Sequence, residues 1–115
     1  MVKFVNFMDL PIKGKKILLR VDINSSIDKE KNQIRSDPRI QALIPVLEKL
    51  TESAVVIMAH QGRRGDDDFH MLKLHAERIQ KYLPNRKVTY VPDIFGEQAI
   101  NAIKALQPGE ILVLE

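Results

Sequence analysis

Cysteine is absent from this 115-residue chain, which excludes disulfides, thiolate nucleophiles and cysteine-ligated metal together. Tryptophan is absent too, and aromatic residues make up only 5% of the sequence. Stacking platforms for single-stranded nucleic acid are built from such residues, so that class of partner is set aside. No apolar run approaches the roughly 20 residues of a spanning helix. The N-terminus, MVKFVNFMDLPIKGKK, lacks the apolar block and small-residue cleavage site of a secretory signal. The expectation is a soluble, cytoplasmic protein with no membrane partner. Neither GxxxxGK[ST] nor GxGxxG occurs, so there is no recognisable phosphate loop for a nucleotide.

What is present is ordinary for one globular domain: 44% hydrophobic and 29% charged residues, with a formal net charge of +3. The charge is uneven. Residues 1–40 hold nine Lys/Arg against five Asp/Glu, and the remainder holds nine against ten. Such a mild excess suits a small anionic ligand and is too scattered for a nucleic-acid surface.

Apolar runs alternate with helical periodicity along the chain. Lys16–Asp22 (KILLRVD) reads as a strand buried on both faces. Residues 23–36 are polar and turn-rich. Asp37-Pro38 is a strong helix start, with Asp as N-cap and Pro at the first helical position. Ile40, Leu43, Ile44, Leu47 and Leu50 follow at helical spacing. Pro45 lies inside that helix, where proline costs about 3 kcal/mol or more; a kink is expected there. Ala54–Ala59 is a second strand and residues 60–69 a loop. Residues 70–83 form a helix with Leu72, Ala76, Ile79 and Leu83 on one stripe. Lys87–Val91 is a third strand. A helix over 95–106 faces Ala99, Ala102, Ile103 and Leu106 inward, and Ile111–Leu114 opens a fourth strand. This order predicts a three-layer, Rossmann-like α/β domain: a parallel sheet with right-handed crossovers and helices on both faces.

Ligands of open parallel sheets bind beyond the C-terminal ends of the strands. There the sequence places Asp22 and Asn24 after the first strand, and His60, Gln61, Gly62 and Arg63 after the second. Arg39 falls in the first turn of the first helix, whose free N–H groups and dipole favour an anion. The set suits a small anionic, hydroxylated metabolite, with Arg39, Arg63 and His60 meeting charges and Asp22 and Asn24 meeting hydroxyls. Each residue also has a plainer reading. Asp22 and Asn24 are common turn formers, Arg39 a solvated side chain, His60 a structural histidine, and Gly62 with Gly65 loop punctuation. The run Asp66-Asp67-Asp68 lacks the ligand spacing of a hard-cation loop and reads as solvated, so no metal site is expected. His70 and His75 read as surface residues.

Taken in order, these segments resemble the phosphoglycerate kinase family from about Lys13 to Glu115. GKKILLRVDINSSID is similar to that family's first strand and substrate loop, RVDFN followed by Val-Pro. IRSDPRIQALIPVLEKL is similar to its I-x-x-D-x-R-I helix start, including a proline at Pro45. AVVIMAHQGRRGDDDF resembles its S-H-x-G-R-P loop, and VPDIFGEQAINAIKALQPGEILVLE its approach to an Asn-x-Arg strand. Ile23 stands for the usual Phe, Ser25-Ser26 for Val-Pro, Ala59 for Ser and Arg64 for Pro. Most of these departures look like the archaeal branch; Arg64 does not, and adds charge to its loop.

The resemblance implies reversible phosphoryl transfer between 1,3-bisphosphoglycerate with ADP and 3-phosphoglycerate with ATP, a step of glycolysis and gluconeogenesis. It implies that residues 1–115 are the 3-phosphoglycerate-binding N-terminal domain, incomplete at its C-terminus. Asp22, Ile23, Asn24, Arg39, His60, Gln61, Gly62 and Arg63 would form the substrate site, with Arg39 the catalytic residue that steadies the phosphoryl group. The Mg-ATP/ADP site would lie in a C-terminal domain outside this chain. A chain of this extent is expected to show no turnover, weak substrate binding and an aggregation-prone sheet edge. Alternatives from other classes are a stand-alone anion-binding domain and a receiver-like signalling module.

Overall fold

The computed structural model describes residues 11–62 and 71–115. Among the described residues nine elements follow one another: β1 (Lys16–Arg20), β2 (Ser26–Asp28), β3 (Gln33–Ser36), α1 (Pro38–Glu48), β4 (Ala54–Met58), α2 (Lys73–Tyr82), β5 (Val88–Val91), α3 (Glu97–Ala105) and β6 (Ile111–Leu114). Four strands form a parallel sheet in the order β1-β4-β6-β5, and β2-β3 is a separate antiparallel hairpin. Register is continuous across the sheet: Leu18 lies beside Val56, and Val56 beside Leu112.

Because successive side chains of a strand point to opposite faces, the central strands feed two cores. Val55, Ile57, Ile111 and Val113 pack with Ile40, Leu43 and Leu47 of α1 and Ala76 and Ile79 of α2. On the other face Ala54, Val56, Leu112 and Leu114 pack with Ala99 and the partly buried Ala102 and Ile103 of α3. Two helices therefore cover one face and one covers the other, giving the three layers expected. The stripe Leu72, Ala76, Ile79 and Leu83 is buried as its spacing requires.

Four expectations are corrected. First, β1 is not buried on both faces. Among the described residues it ends the sheet, and Leu18 is 64% exposed on the α3 side. An apolar run specifies a strand, but its neighbours decide whether both faces are covered. Second, the polar stretch 23–36 contains the β2-β3 hairpin. Its loop is tightened by Asp28, whose Oδ1 accepts from the N–H groups of Glu30 and Lys31 at 3.1 and 3.2 Å, and by Asn32 at a φ of 53°, a left-handed conformation asparagine tolerates.

Third, Asp37 occupies the N-cap position but makes no side-chain cap bond. Its carboxylate is buried and accepts from Gln41 Nε2 (2.9 Å), Arg78 Nη1 (3.1 Å) and the Tyr82 hydroxyl (2.8 Å). Arg78 also donates to the Ile34 carbonyl at 3.0 Å, so one carboxylate ties α1, α2 and β3 together. Fourth, His75 is wholly buried and not on the surface; His70 lies outside the described residues.

Two polar anchors complete the frame. The Arg86 guanidinium donates to the carbonyls of Leu47 (2.6 Å), Leu50 (3.1 Å) and Gly109 (2.7 Å), satisfying the last turn of α1. Asp93 accepts from the N–H groups of Ile94, Gly96 and Ala99 at 3.0, 3.1 and 3.1 Å, capping the start of α3.

Candidate functional site

Beyond the C-terminal end of β1 the chain turns sharply. The Asn24 N–H donates to Asp22 Oδ1 at 3.0 Å, a local bond typical of aspartate turns. This leaves the Asp22 carboxylate exposed at the rim and drives the intervening Ile23 into the core, 0% exposed. Arg39, in the first turn of α1, reaches the same carboxylate: its Nη1 lies 3.0 and 2.8 Å from the two oxygens. The Asn24 N–H foremost lowers the Asp22 carboxyl, burial pushes it back up, and Arg39 and then nearby His60 add enough to leave it below its ordinary value.

The loop after β4 is stitched to this turn. Gly62 N–H donates to Asn24 Oδ1 at 3.0 Å, and Gly62 adopts a φ of 65° that an L-residue takes only with strain. Its carbonyl contacts His60 Nδ1 at 2.9 Å. A carbonyl can only accept, so this nitrogen carries a proton. Gln61 faces inward: its Oε1 accepts from Ser25 N–H at 2.7 Å and its Nε2 donates to the Ser25 carbonyl at 2.9 Å.

Asp22, Asn24, Arg39, His60 and Gly62 therefore come together at one end of the sheet, with Arg39 and His60 both acting on Asp22. Ile23 and Gln61 have no side chain turned to the rim and can contribute only through backbone or by positioning. Arg63, Arg64 and Asp66–Asp68 lie outside the described residues.

A cleft of about 920 Å³ opens at this rim, its lining including Asp22, Asn24 and His60 together with Met58, Met71 and Ile94. It also takes in Arg20 and Glu115, which sequence reasoning did not single out. Arg20 was findable, since it stands two residues before Asp22 at the strand end. Glu115 accepts from Leu72 N–H at 3.1 Å and from the Tyr90 hydroxyl, fastening the start of α2 to the sheet. Burial foremost, then Glu115, push the Tyr90 phenol above its ordinary value.

Among the described residues no group of three His, Asp or Glu could hold a metal ion.

An open parallel sheet flanked by helices, with a cleft at the carboxyl ends of the strands, defines an α/β domain of the doubly wound class. The match to known proteins is more specific. The family model for phosphoglycerate kinase matches residues 7–115. The phosphoglycerate kinase of Methanocorpusculum labreanum is 43% identical over 114 residues, covering 99% of this chain and 28% of that protein. Phosphoglycerate kinase 1 of Methanosarcina acetivorans is 46% identical over 112 residues, covering 97% of this chain and 27% of that protein. The crystal structure of the Pyrococcus horikoshii OT3 enzyme superposes with a TM-score of 0.88 at 34% identity, over 96% of this chain and 27% of that one. The chain belongs to the phosphoglycerate kinase family, and spans little more than a quarter of the length of the relatives it matches.

Proposed function

We propose that this chain supplies the 3-phosphoglycerate-holding wall of a phosphoglycerate kinase, residues 1–115 being part of that enzyme's N-terminal domain. The observation that carries the reading is the convergence on Asp22: a guanidinium from α1, an imidazole from the loop after β4, and Asn24 bridging to Gly62. A phosphorylated hydroxy acid presents anionic oxygens that Arg39 and His60 complement, and a hydroxyl for which Asp22 is an acceptor. Because Arg39 is held by Asp22, an incoming anion competes for one guanidinium that is already aimed at the rim.

In phosphoryl transfer the protein's task is alignment and charge neutralisation. Among the described residues Arg39 is placed to neutralise oxygens of a group in transit, and Asp22, Asn24 and His60 would fix the acceptor. Binding of Mg-ATP/ADP belongs to sequence outside this chain, so the chain alone is expected to bind and not to turn over. A receiver-like module would need an acidic cluster where this rim carries Arg39 and His60.

The test is titration of the ¹⁵N-labelled chain with 3-phosphoglycerate. Saturable shifts at Asp22, Asn24 and Gly62, with a Kd on the order of 1 mM and no response to glycerate, support the reading. Absence of saturable shifts, or shifts scattered away from this rim, refutes it.

A further inference from the structure

Gln61 is 2% exposed and His75, on α2, is 0% exposed; neither belongs to the wetted rim. The Ser25 backbone leaves only one orientation for the Gln61 amide, since its N–H donates to Oε1 at 2.7 Å while its carbonyl accepts from Nε2 at 2.9 Å. With Oε1 thereby an acceptor, His75 Nε2, 2.9 Å away, must bear a proton. The buried imidazole thus donates into the rim from behind.

The bonds continue outward. Ser25 is adjacent to Asn24, whose Oδ1 accepts from Gly62 N–H at 3.0 Å, and Gly62 is adjacent to Gln61. These four residues close a ring that clamps the loop after β1 to the loop after β4. From the ring, Asn24 N–H donates to Asp22 Oδ1 at 3.0 Å, and Asp22 holds Arg39 at 2.8 Å. An unbroken path therefore runs from α2 to the guanidinium on α1.

We propose that His75 and Gln61 are positioning residues: they set the register of the two rim loops and, through Asn24 and Asp22, aim Arg39. Two features carry this. A glutamine that binds both backbone groups of one residue locks that residue as a strand neighbour would, and a fully desolvated donor behind it makes the alternative amide orientation costly. The positioning claim stands on these bonds alone; only its effect on 3-phosphoglycerate rests on the function proposed above.

The test compares His75→Leu, which removes the donor, with His75→Gln, which returns an N–H of similar reach. In the wild-type chain the ¹⁵N spectrum of His75 should show the Nε2–H tautomer. In His75→Leu, hydrogen exchange at Ser25 and Gly62 should quicken about tenfold, while Ala99, capped separately by Asp93, is unmoved. Affinity for 3-phosphoglycerate should fall by a similar factor, roughly tenfold, and His75→Gln should recover both readouts to within about threefold. If His75→Leu does not fold, Gln61→Met, which cuts the ring from the loop side, is expected to give the same pattern. An Nδ1–H tautomer overturns the proposal, as does a variant that melts earlier with Ser25 and Gly62 exchange unchanged. Should the wild-type chain fail to bind 3-phosphoglycerate, the functional reading falls, and the tautomer and exchange data still decide the positioning role.

Discussion

Asp22 and Arg39, 17 residues apart in the chain, meet through a single guanidinium nitrogen that touches both carboxylate oxygens. Both side chains are more than half exposed, so the pair contributes no more than about 1 kcal/mol to stability. Its value is to hold two groups of opposite charge where a ligand can use either.

Arg39→Ala should therefore leave thermal unfolding nearly unchanged and weaken 3-phosphoglycerate binding by roughly tenfold or more, the loss of one charge-assisted contact. Calorimetry of unfolding and of binding on the same sample separates the two effects. A large stability loss with intact affinity would reverse the assignment.

Asp37 predicts the opposite pattern. Burial raises its pKa, but bonds from Gln41, Tyr82 and Arg78 outweigh this and hold it below the ordinary carboxylate value. A carboxyl with a depressed folded pKa contributes stability that is complete above its unfolded pKa, about 3.9, and lost as pH falls through the folded value. Asp37→Asn should flatten the acid limb of unfolding below about pH 4 and cost roughly 2–4 kcal/mol at neutral pH, with no change in exchange at Gly62.

At the start of α3, a Cβ on Gly96 would stand 2.5 Å from Asp93 Oδ2. Gly96→Ala should cost about 1–2 kcal/mol by displacing that capping carboxylate. In an Asp93→Ala background the same change should cost much less, because the group it collides with is gone. Additive losses in chemical denaturation would contradict this account.

Arg86 makes a parallel case for geometry over charge. Lysine keeps the charge but cannot fork to three carbonyls, so Arg86→Lys should lose most of what Arg86→Ala loses, about 2–3 kcal/mol by thermal melting. Full retention of stability in the lysine variant would show that charge suffices.

The alternation of strands and helices was legible because periodicity survives in single sequences: the stripe Leu72, Ala76, Ile79 is buried as its spacing demands. His75 obeys the same rule, one position before Ala76 and three after Leu72. Its polar type suggests the surface, but helical spacing places it inward. The hairpin was illegible for another reason. Its strands are three and four residues long, and their pairing depends on turn bonds from Asp28 that composition does not reveal. The edge position of β1 was hidden as well, since which strand ends a sheet depends on pairing between distant segments. Of the rim, the identities of Asp22, Asn24, Arg39 and His60 could be read as candidates. That Gln61 turns away from the rim to grip Ser25 could not, because that contact spans 36 residues.

Among the described residues β1 is bonded to β4 alone. A strand laced along one margin opens at lower free energy than those laced along both, so its amides, like those of β5 at the other margin, are expected to exchange before those of β4 and β6. Asp22 and Asn24 hang from the far end of that strand. Warming should therefore disarm the rim while β4, β6 and their helices remain intact, and ligand recognition would fade at temperatures where the bulk of the molecule is still native.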